Sequence, residues 1–171
     1  GAGHLAAVPA SEGGQVITVA AIKAALVAIL ETVPNVDVVN SYGWFPDLAG
    51  ATIAIVIPPL RTESLYGFTQ SRDSSPDFQS HRFACEVWVQ DTGDPAALDA
   101  LVSGINTDAA SVLMANQAFA VGDATALLAW FDGDRYDFSI GFEVEDGWRR
   151  LANDGPQFLV ATMTVPVTLG E

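Results

Sequence analysis

Apolar residues recur every three to four positions in the first part of the chain, which is the spacing of one buried helix face. Thr18 precedes this pattern and can cap a helix, and Pro34 ends it because residues before proline avoid helical geometry. The apolar positions are Val19, Ile22, Leu26, Ile29, Leu30 and Val33. The pattern predicts a first helix directly after Thr18.

A second helical pattern begins at Asp94, a favoured capping residue, and continues with Pro95, which suits the first helical turn. Gly104 weakens the far end of this helix, since glycine is unfavourable in helix interiors. Weaker periodicity predicts a further helical piece over residues 107–114 and a short helix over residues 124–130, capped by Asp123. The apolar side of the main helix consists of Leu98, Leu101, Val102 and Ile105.

Strands are indicated by alternating apolar and polar residues or by runs of β-branched residues. In the strand predicted over residues 83–90, every second residue from Phe83 onward is expected to be buried, which places Trp88 on the polar side. The last two segments are joined by turn-forming residues and predict a hairpin, in which Pro166 indicates a sheet edge or a bulge. The segments are residues 36–39, 51–57, 83–90, 138–144 and 158–169.

The segment from residue 60 to residue 79 has little periodicity and many turn-forming residues, which predicts a long loop or an extended arm. Irregular segments of this length usually have a binding role. The order of the elements predicts an α+β fold, a mostly antiparallel sheet with two main helices packed on one face. The chain length favours a single domain over residues 17–171, preceded by a flexible N-terminal segment over residues 1–16.

Charged residues are scarce in this chain: they make up 16% of it, against about 25% in a typical soluble domain. Hydrophobic residues make up 50%. This imbalance indicates that some apolar surface is hidden against other subunits, because isolated soluble proteins seldom leave large apolar patches in water. A high alanine content is the alternative explanation.

The net charge of −14 arises from 21 acidic and 7 basic residues. It argues against nonspecific binding of nucleic acid, which depends on clustered Lys and Arg. An acidic surface suits a channel through which DNA slides without sticking. The alternative is that the acidic charge only keeps the protein soluble, for example in a salty cell.

The sequence contains no recognisable catalytic or metal-binding motif, so we expect no enzyme activity, no cofactor and no metal. The only cysteine, Cys85, lies in an apolar run and is predicted to be a core residue. His4 and His81 are too far apart in sequence to indicate a metal site or a catalytic triad. The longest weakly polar stretch is about 15 residues, shorter than the roughly 20 that a membrane-spanning helix needs.

Three carboxylates, Asp132, Asp134 and Asp137, surround Gly133 in a spacing that partly resembles a calcium loop. The glycine falls too early and no glutamate ends the loop, so a solvated turn is the favoured interpretation. A small carboxylate-based enzyme or metal-binding domain that uses these residues is one alternative function. An acidic mimic of DNA is another, but it requires regularly spaced carboxylates on one face.

Aromatic residues in loops can anchor protein interfaces. Tyr42, Trp44 and Phe45 form one such group, although they can equally cover the core of their own chain. The residues that we expect at a subunit interface are Arg61, Tyr66, Phe68, Arg72, Phe78 and Trp88.

Five segments together resemble the tail-terminator and tail-completion proteins of long-tailed phages and the related neck and tail-tube ring proteins. They are TVAAIKAALVAILETVPNV, ATIAIVIPPL, HRFACEVWVQ, DPAALDALVSGI and FLVATMTVPVTL. The resemblance implies a structural virion protein, located in the tail or neck and assembled in the host cytoplasm. It further implies a ring, usually a homohexamer, that caps the tail tube, joins it to the head connector and lets DNA pass without specific binding.

The residues at 60–79 and 106–135 have no counterpart in that resemblance, which leaves open a terminator, a tube subunit or a connector. The resemblance implies that the long loop crosses to a neighbouring subunit. It also implies that part of the acidic excess lines the channel, and that no membrane is involved.

Overall fold

A computed structural model describes residues 17–40, 50–59, 61–67, 78–150 and 154–170. Several predictions lie outside the described residues: the flexible segment 1–16, the aromatic group of Tyr42, Trp44 and Phe45, and the interface residues Phe68 and Arg72.

The described chain is an α+β fold, as predicted, with two helices and a large, mostly antiparallel sheet. The helices are α1 (Val19–Leu30) and α2 (Pro95–Ala115). The strands are β1 (Val38–Asn40), β2 (Ile53–Val56), β3 (Thr62–Gly67), β4 (Phe78–Gln90), β5 (Ala118–Val121), β6 (Ala124–Leu127), β7 (Trp130–Asp132), β8 (Arg135–Asp137), β9 (Gly141–Arg149) and β10 (Phe158–Gly170). In the described part of the chain, no helix is both long and apolar enough to cross a membrane.

Both helices begin at the capping residues that the sequence predicts. Thr18 Oγ1 accepts a hydrogen bond from Ala21 N at 3.1 Å, and Asp94 Oδ1 accepts one from Ala96 N at 3.1 Å. Helix α2 continues through Gly104 for 21 residues, so the separate helical piece predicted over residues 107–114 is its second half. The buried residues Ala109 and Leu113 hold that half against the core, which outweighs the low helix propensity of one glycine.

Strands β4 and β10, of 13 residues each, form the centre of the sheet and pair antiparallel along their whole length. The other side of β4 is occupied first by β3 and then by β2, and the other side of β10 by β9 and β6. Strand β5 pairs with β6, and β1 pairs in parallel with β2. The β9–β10 hairpin is as predicted, although β9 begins at Gly141 rather than at Phe138.

The main core lies between the two helices and one side of the sheet, which we call the helix face. Ile22 and Leu26 of α1 and Ile105 of α2 pack there against Phe83 and Val165. Both main helices therefore pack on one face, as the sequence predicts. The opposite side of the sheet, which carries Ser80, Arg82, Glu86 and Trp88 on β4, we call the second face.

Pro166 lies in a central strand, where the sequence favours an edge or a bulge. On one side it is opposite Arg82 of β4. On the other side it falls between Thr164, the last residue paired with β9, and Thr168, the first paired with β6. The proline thus occupies a gap between two partner strands, where no hydrogen bond of the sheet requires the N–H that proline lacks.

Two sequence predictions are wrong. Within the predicted loop at 60–79, residues Thr62–Gly67 form β3 and pair with β4, which already begins at Phe78. Most side chains of this edge strand are exposed, so it needs no apolar alternation and leaves no periodic pattern in the sequence. These residues belong to their own chain's sheet and do not form an arm toward a neighbour.

The predicted short helix at 124–130 is also wrong, because this region contains β6 and the start of β7. Val121 pairs with Ala124 across a two-residue turn of Gly122 and Asp123. Gly122 has a φ of 60°, a conformation that glycine adopts without steric cost. This turn makes a hairpin at the position where Asp123 was expected to cap a helix.

Candidate assembly surface

At one end of the second face the sheet has a small core of its own. Trp88 is only 5% exposed and packs against Phe158, with ring centroids 5.7 Å apart. Ala54, Val56 and Val160 complete the cluster. Trp88 shares this face with Arg82 and Glu86, as predicted, but it is buried, because the sheet is covered on both faces here. It therefore offers little surface to a partner.

A buried carboxylate, Glu86, joins two arginines next to this small core. Glu86 Oε2 lies 2.6 Å from Arg61 Nη1 and 3.5 Å from Arg149 Nη1, while Trp88 Nε1 donates to Oε1 at 3.1 Å. Arg149 also pairs with Glu145. A carboxylate this buried is tolerated because it is paired and hydrogen-bonded. Arg61, predicted at an interface, therefore makes its ion pair within its own chain.

At the other end of the second face, the β7–β8 hairpin is held to the sheet by two hydroxyl groups. Ser80 Oγ accepts a hydrogen bond from Phe131 N at 3.1 Å and lies 2.5 Å from Thr168 Oγ1. Thr168 Oγ1 donates to Ala129 O at 2.5 Å. Ser80 and Thr168 are opposite each other on β4 and β10, so the hairpin is fixed to the two central strands.

This hairpin carries a continuous row of rings toward the surface. Ring centroids are 4.3 Å apart between Phe78 and Phe131, 5.0 Å between Phe131 and Tyr136, and 6.3 Å between Tyr136 and Phe138. Tyr136 is 41% exposed and Phe138 is 46% exposed. We call these four residues the aromatic row; its outer half lies in solvent.

Arg82 borders the aromatic row. Its guanidinium carbon lies 3.9 Å from the ring centroid of Trp130, and its Nη1 lies 3.4 Å from Glu63 Oε1. Stacking on the indole ring holds the cation in place. The second face therefore presents exposed rings beside an oriented arginine, the residue types that dominate binding at protein interfaces.

His81 lies on the helix face at the same end of the sheet and is fully buried. Its Nδ1 is 2.7 Å from Ser64 Oγ. The amide nitrogen of Gln79 donates a hydrogen bond to His81 Nε2 at 2.9 Å. In the same orientation the Gln79 side chain forms two hydrogen bonds of 3.0 Å, one to the backbone N–H and one to the backbone carbonyl of Ile17. In that arrangement the imidazole is neutral, and burial lowers the pKa of His81.

Tyr66 packs its ring edge-to-face on His81 at 5.6 Å. It is exposed, as predicted for an interface residue, but it lies on the helix face and not in the aromatic row. Of the expected interface residues that the structure describes, Phe78 alone belongs to the row. Phe131, Tyr136 and Phe138 were not among the expected interface residues. They flank the Gly133–Asp134 dipeptide, a hairpin signal when it is bordered by strand-forming residues.

The three carboxylates weighed as a calcium site lie on the β7–β8 hairpin. Asp132 pairs with Arg135, and Gly133 has a φ of 72° in the turn between them, as the solvated-turn interpretation predicts. Among the described residues, no group of three or more His, Cys, Asp or Glu side chains could hold a metal ion. Cys85 is buried in the core, as predicted, and burial raises the pKa of its thiol to about 12.

The sequence matches neither a model of any known protein family nor any curated protein. The aromatic row and its neighbouring arginine are therefore interpreted from their own geometry.

Proposed function

We propose that this chain is a structural subunit that assembles into a ring, usually hexameric in the phage proteins that it resembles, at the end of a phage-like tail tube. The observation that carries the proposal is the aromatic row, because a folded chain that remained alone would leave these rings in water. The ring would contact the tail-tube protein on one side and the head connector on the other.

The charge distribution supports this proposal. Three of the seven basic residues, Arg61, Arg82 and Arg149, belong to the second face, where each pairs with a carboxylate of the same chain. Copies of a chain with a net charge of −14 repel one another, so contact is easiest where the local charge is balanced. The acidic remainder suits a channel that DNA crosses without binding.

The proposal is tested by the assembly state of the purified chain. Mass photometry and negative-stain electron microscopy should show rings several times the 18.0 kDa chain mass. Replacing both Tyr136 and Phe138 with serine should weaken association by at least about tenfold, since aromatic residues at interface centres contribute most of the binding free energy.

Met114→Ser is a matched control, because Met114 is an exposed hydrophobic residue of α2 outside the second face. It should leave assembly unchanged. A wild-type chain that stays monomeric, both alone and with tail tubes, would refute the proposal, and equal effects of the two kinds of variant would exclude the aromatic row as the contact.

A further inference from the structure

A groove on the other side of the molecule lies between α2 and the turn after α1. Its volume is about 170 Å³, and Ile53 and Ile105, both buried, form its floor. Pro34, Leu101 and Gly104 also line it, and Asp108 is the one ionisable residue among the described residues of its lining. An apolar cavity of about 150 Å³ is large enough to bind a benzene ring.

Gly104 is an unusual choice for this position. A Cβ there would meet nothing within 4 Å among the described residues, and Gly104 is not among the glycines with positive φ, so neither packing nor backbone conformation in the described part of the chain requires glycine. Glycine in a helix interior costs roughly 0.5–1 kcal/mol relative to alanine. Because Gly104 has no side chain, it keeps the groove open at the middle of α2.

We propose, on the basis of the ring function proposed above, that this groove receives the Phe138 ring of a second copy of this chain. Phe138 is the outermost and most exposed ring of the aromatic row, and its size matches the groove. Arg135, on the same hairpin, makes no ion pair with any described residue and complements Asp108 in charge.

The two contacting patches lie on different sides of one chain: the groove beside α2, and the aromatic row on the second face. A contact between two different patches is head-to-tail, and such contacts close into rings when the rotation between neighbours allows it. The groove is therefore the complementary surface that a ring built on the aromatic row requires.

A pair of introduced cysteines tests the contact. A variant that combines Asp108→Cys with Arg135→Cys, which leaves the Phe138 ring and Gly104 in place, should form a ladder of disulfide-linked dimers, trimers and larger species under mild oxidation. Each single variant should stop at dimers, because only the double variant can link head to tail. The native Cys85 is fully buried and gives little background.

Filling the groove provides the second measurement. Gly104→Leu should weaken association by at least about tenfold. Ser103→Leu, which adds the same side chain at the adjacent exposed position of α2, should change it little. Circular dichroism should show both variants folded, since the site of the Gly104 Cβ is open and leucine is the better helix former.

The outcomes separate this inference from the proposed function. A ladder together with a selective effect of Gly104→Leu supports the contact. If the wild-type chain assembles but the double cysteine variant forms no ladder and Gly104→Leu behaves like Ser103→Leu, the contact is overturned and the ring function stands. If the wild-type chain remains monomeric and no ladder forms, both are overturned.

Discussion

Thr62 has a buried side-chain oxygen with no hydrogen-bond partner among the described residues. Burying an unpaired hydroxyl is unfavourable, so Thr62→Val, which keeps the shape and removes the polar atom, should raise the free energy of unfolding by about 1 kcal/mol. Urea unfolding measures the change. Thr162→Val is the matched control and should lower stability, because Thr162 Oγ1 donates to Glu145 at 2.7 Å.

His81 makes the stability of the protein depend on pH. Burial lowers the pKa of His81 in the folded state. Between that lowered pKa and the ordinary histidine pKa of about 6.5, the unfolded chain therefore binds more protons than the folded chain does. The contribution of the neutral, buried His81 to stability is complete above a pH of about 6.5, and it is lost as the pH falls toward the pKa of His81 in the folded state. The denaturation midpoint in urea should therefore be lower at pH 5.5 than at pH 7.5.

His81→Gln should reduce this pH dependence, and the same substitution at His4, the only other histidine, should not. The comparison uses the difference between the two midpoints within each variant, so a general loss of stability in His81→Gln does not affect it. If the midpoints of wild type and His81→Gln shift equally with pH, the dependence arises from carboxylates and not from the buried imidazole.

The β7–β8 hairpin depends on the Ser80 hydroxyl for its attachment to the sheet. Ser80→Ala removes the acceptor of Phe131 N and the neighbour of Thr168 Oγ1, which should lower the free energy of unfolding by about 1–3 kcal/mol. Hydrogen exchange should show the largest loss of protection at the Phe131 amide. Ser139→Ala, at an exposed position beyond the hairpin, is the control.

If protection were lost evenly across β4 and β10, Ser80 would be a general core residue and not the anchor of the hairpin. The distinction bears on assembly, because the aromatic row is placed by this attachment. A detached hairpin would leave Phe78 on β4 while Phe131 moves away from it. Ser80→Ala should therefore also weaken association between copies.

Elements whose local pattern agrees with their packing could be predicted from the sequence. The caps Thr18 and Asp94, the helix-face residues of β4 and the β9–β10 hairpin each have a local signal. Strand β3 has none, because its position depends on backbone pairing with β4 and most of its side chains are exposed. The burial of Trp88 likewise depends on Phe158, which is 70 positions away in sequence.

The candidate assembly surface was only partly predictable for the same reason. Phe78, Phe131, Tyr136 and Phe138 are spread over 61 positions of the chain and meet because Ser80 holds the β7–β8 hairpin on the sheet. The Gly133–Asp134 signal could have indicated the hairpin, but not which face of the sheet the hairpin covers. Aromatic content alone therefore identified Phe78 and missed the three rings beyond it.

At the scale of the whole molecule, the two ends of the second face have different roles. One end is closed by the small core of Trp88 and by Glu86, whose ion pairs link the residue before β3 to the end of β9 across the two central strands. The other end carries the aromatic row into solvent. The exposed rings of Tyr136 and Phe138 thus lie together at one end of this face, which fits a defined contact there.

Ionic strength should strengthen association between copies. Each copy carries a net charge of −14, so two copies repel each other at low salt. The apolar contact made by the aromatic side chains, in contrast, depends little on the salt concentration. Raising the salt from about 20 mM to about 500 mM shortens the screening length to a few ångströms and weakens the repulsion. Sedimentation velocity at several salt concentrations should show the association constant rising.

Phe138→Ser should lower the constant at every salt concentration and leave its salt dependence unchanged, because it removes apolar contact and no charge. An association constant that falls with added salt would instead mean that ion pairs, and not the aromatic row, hold the copies together.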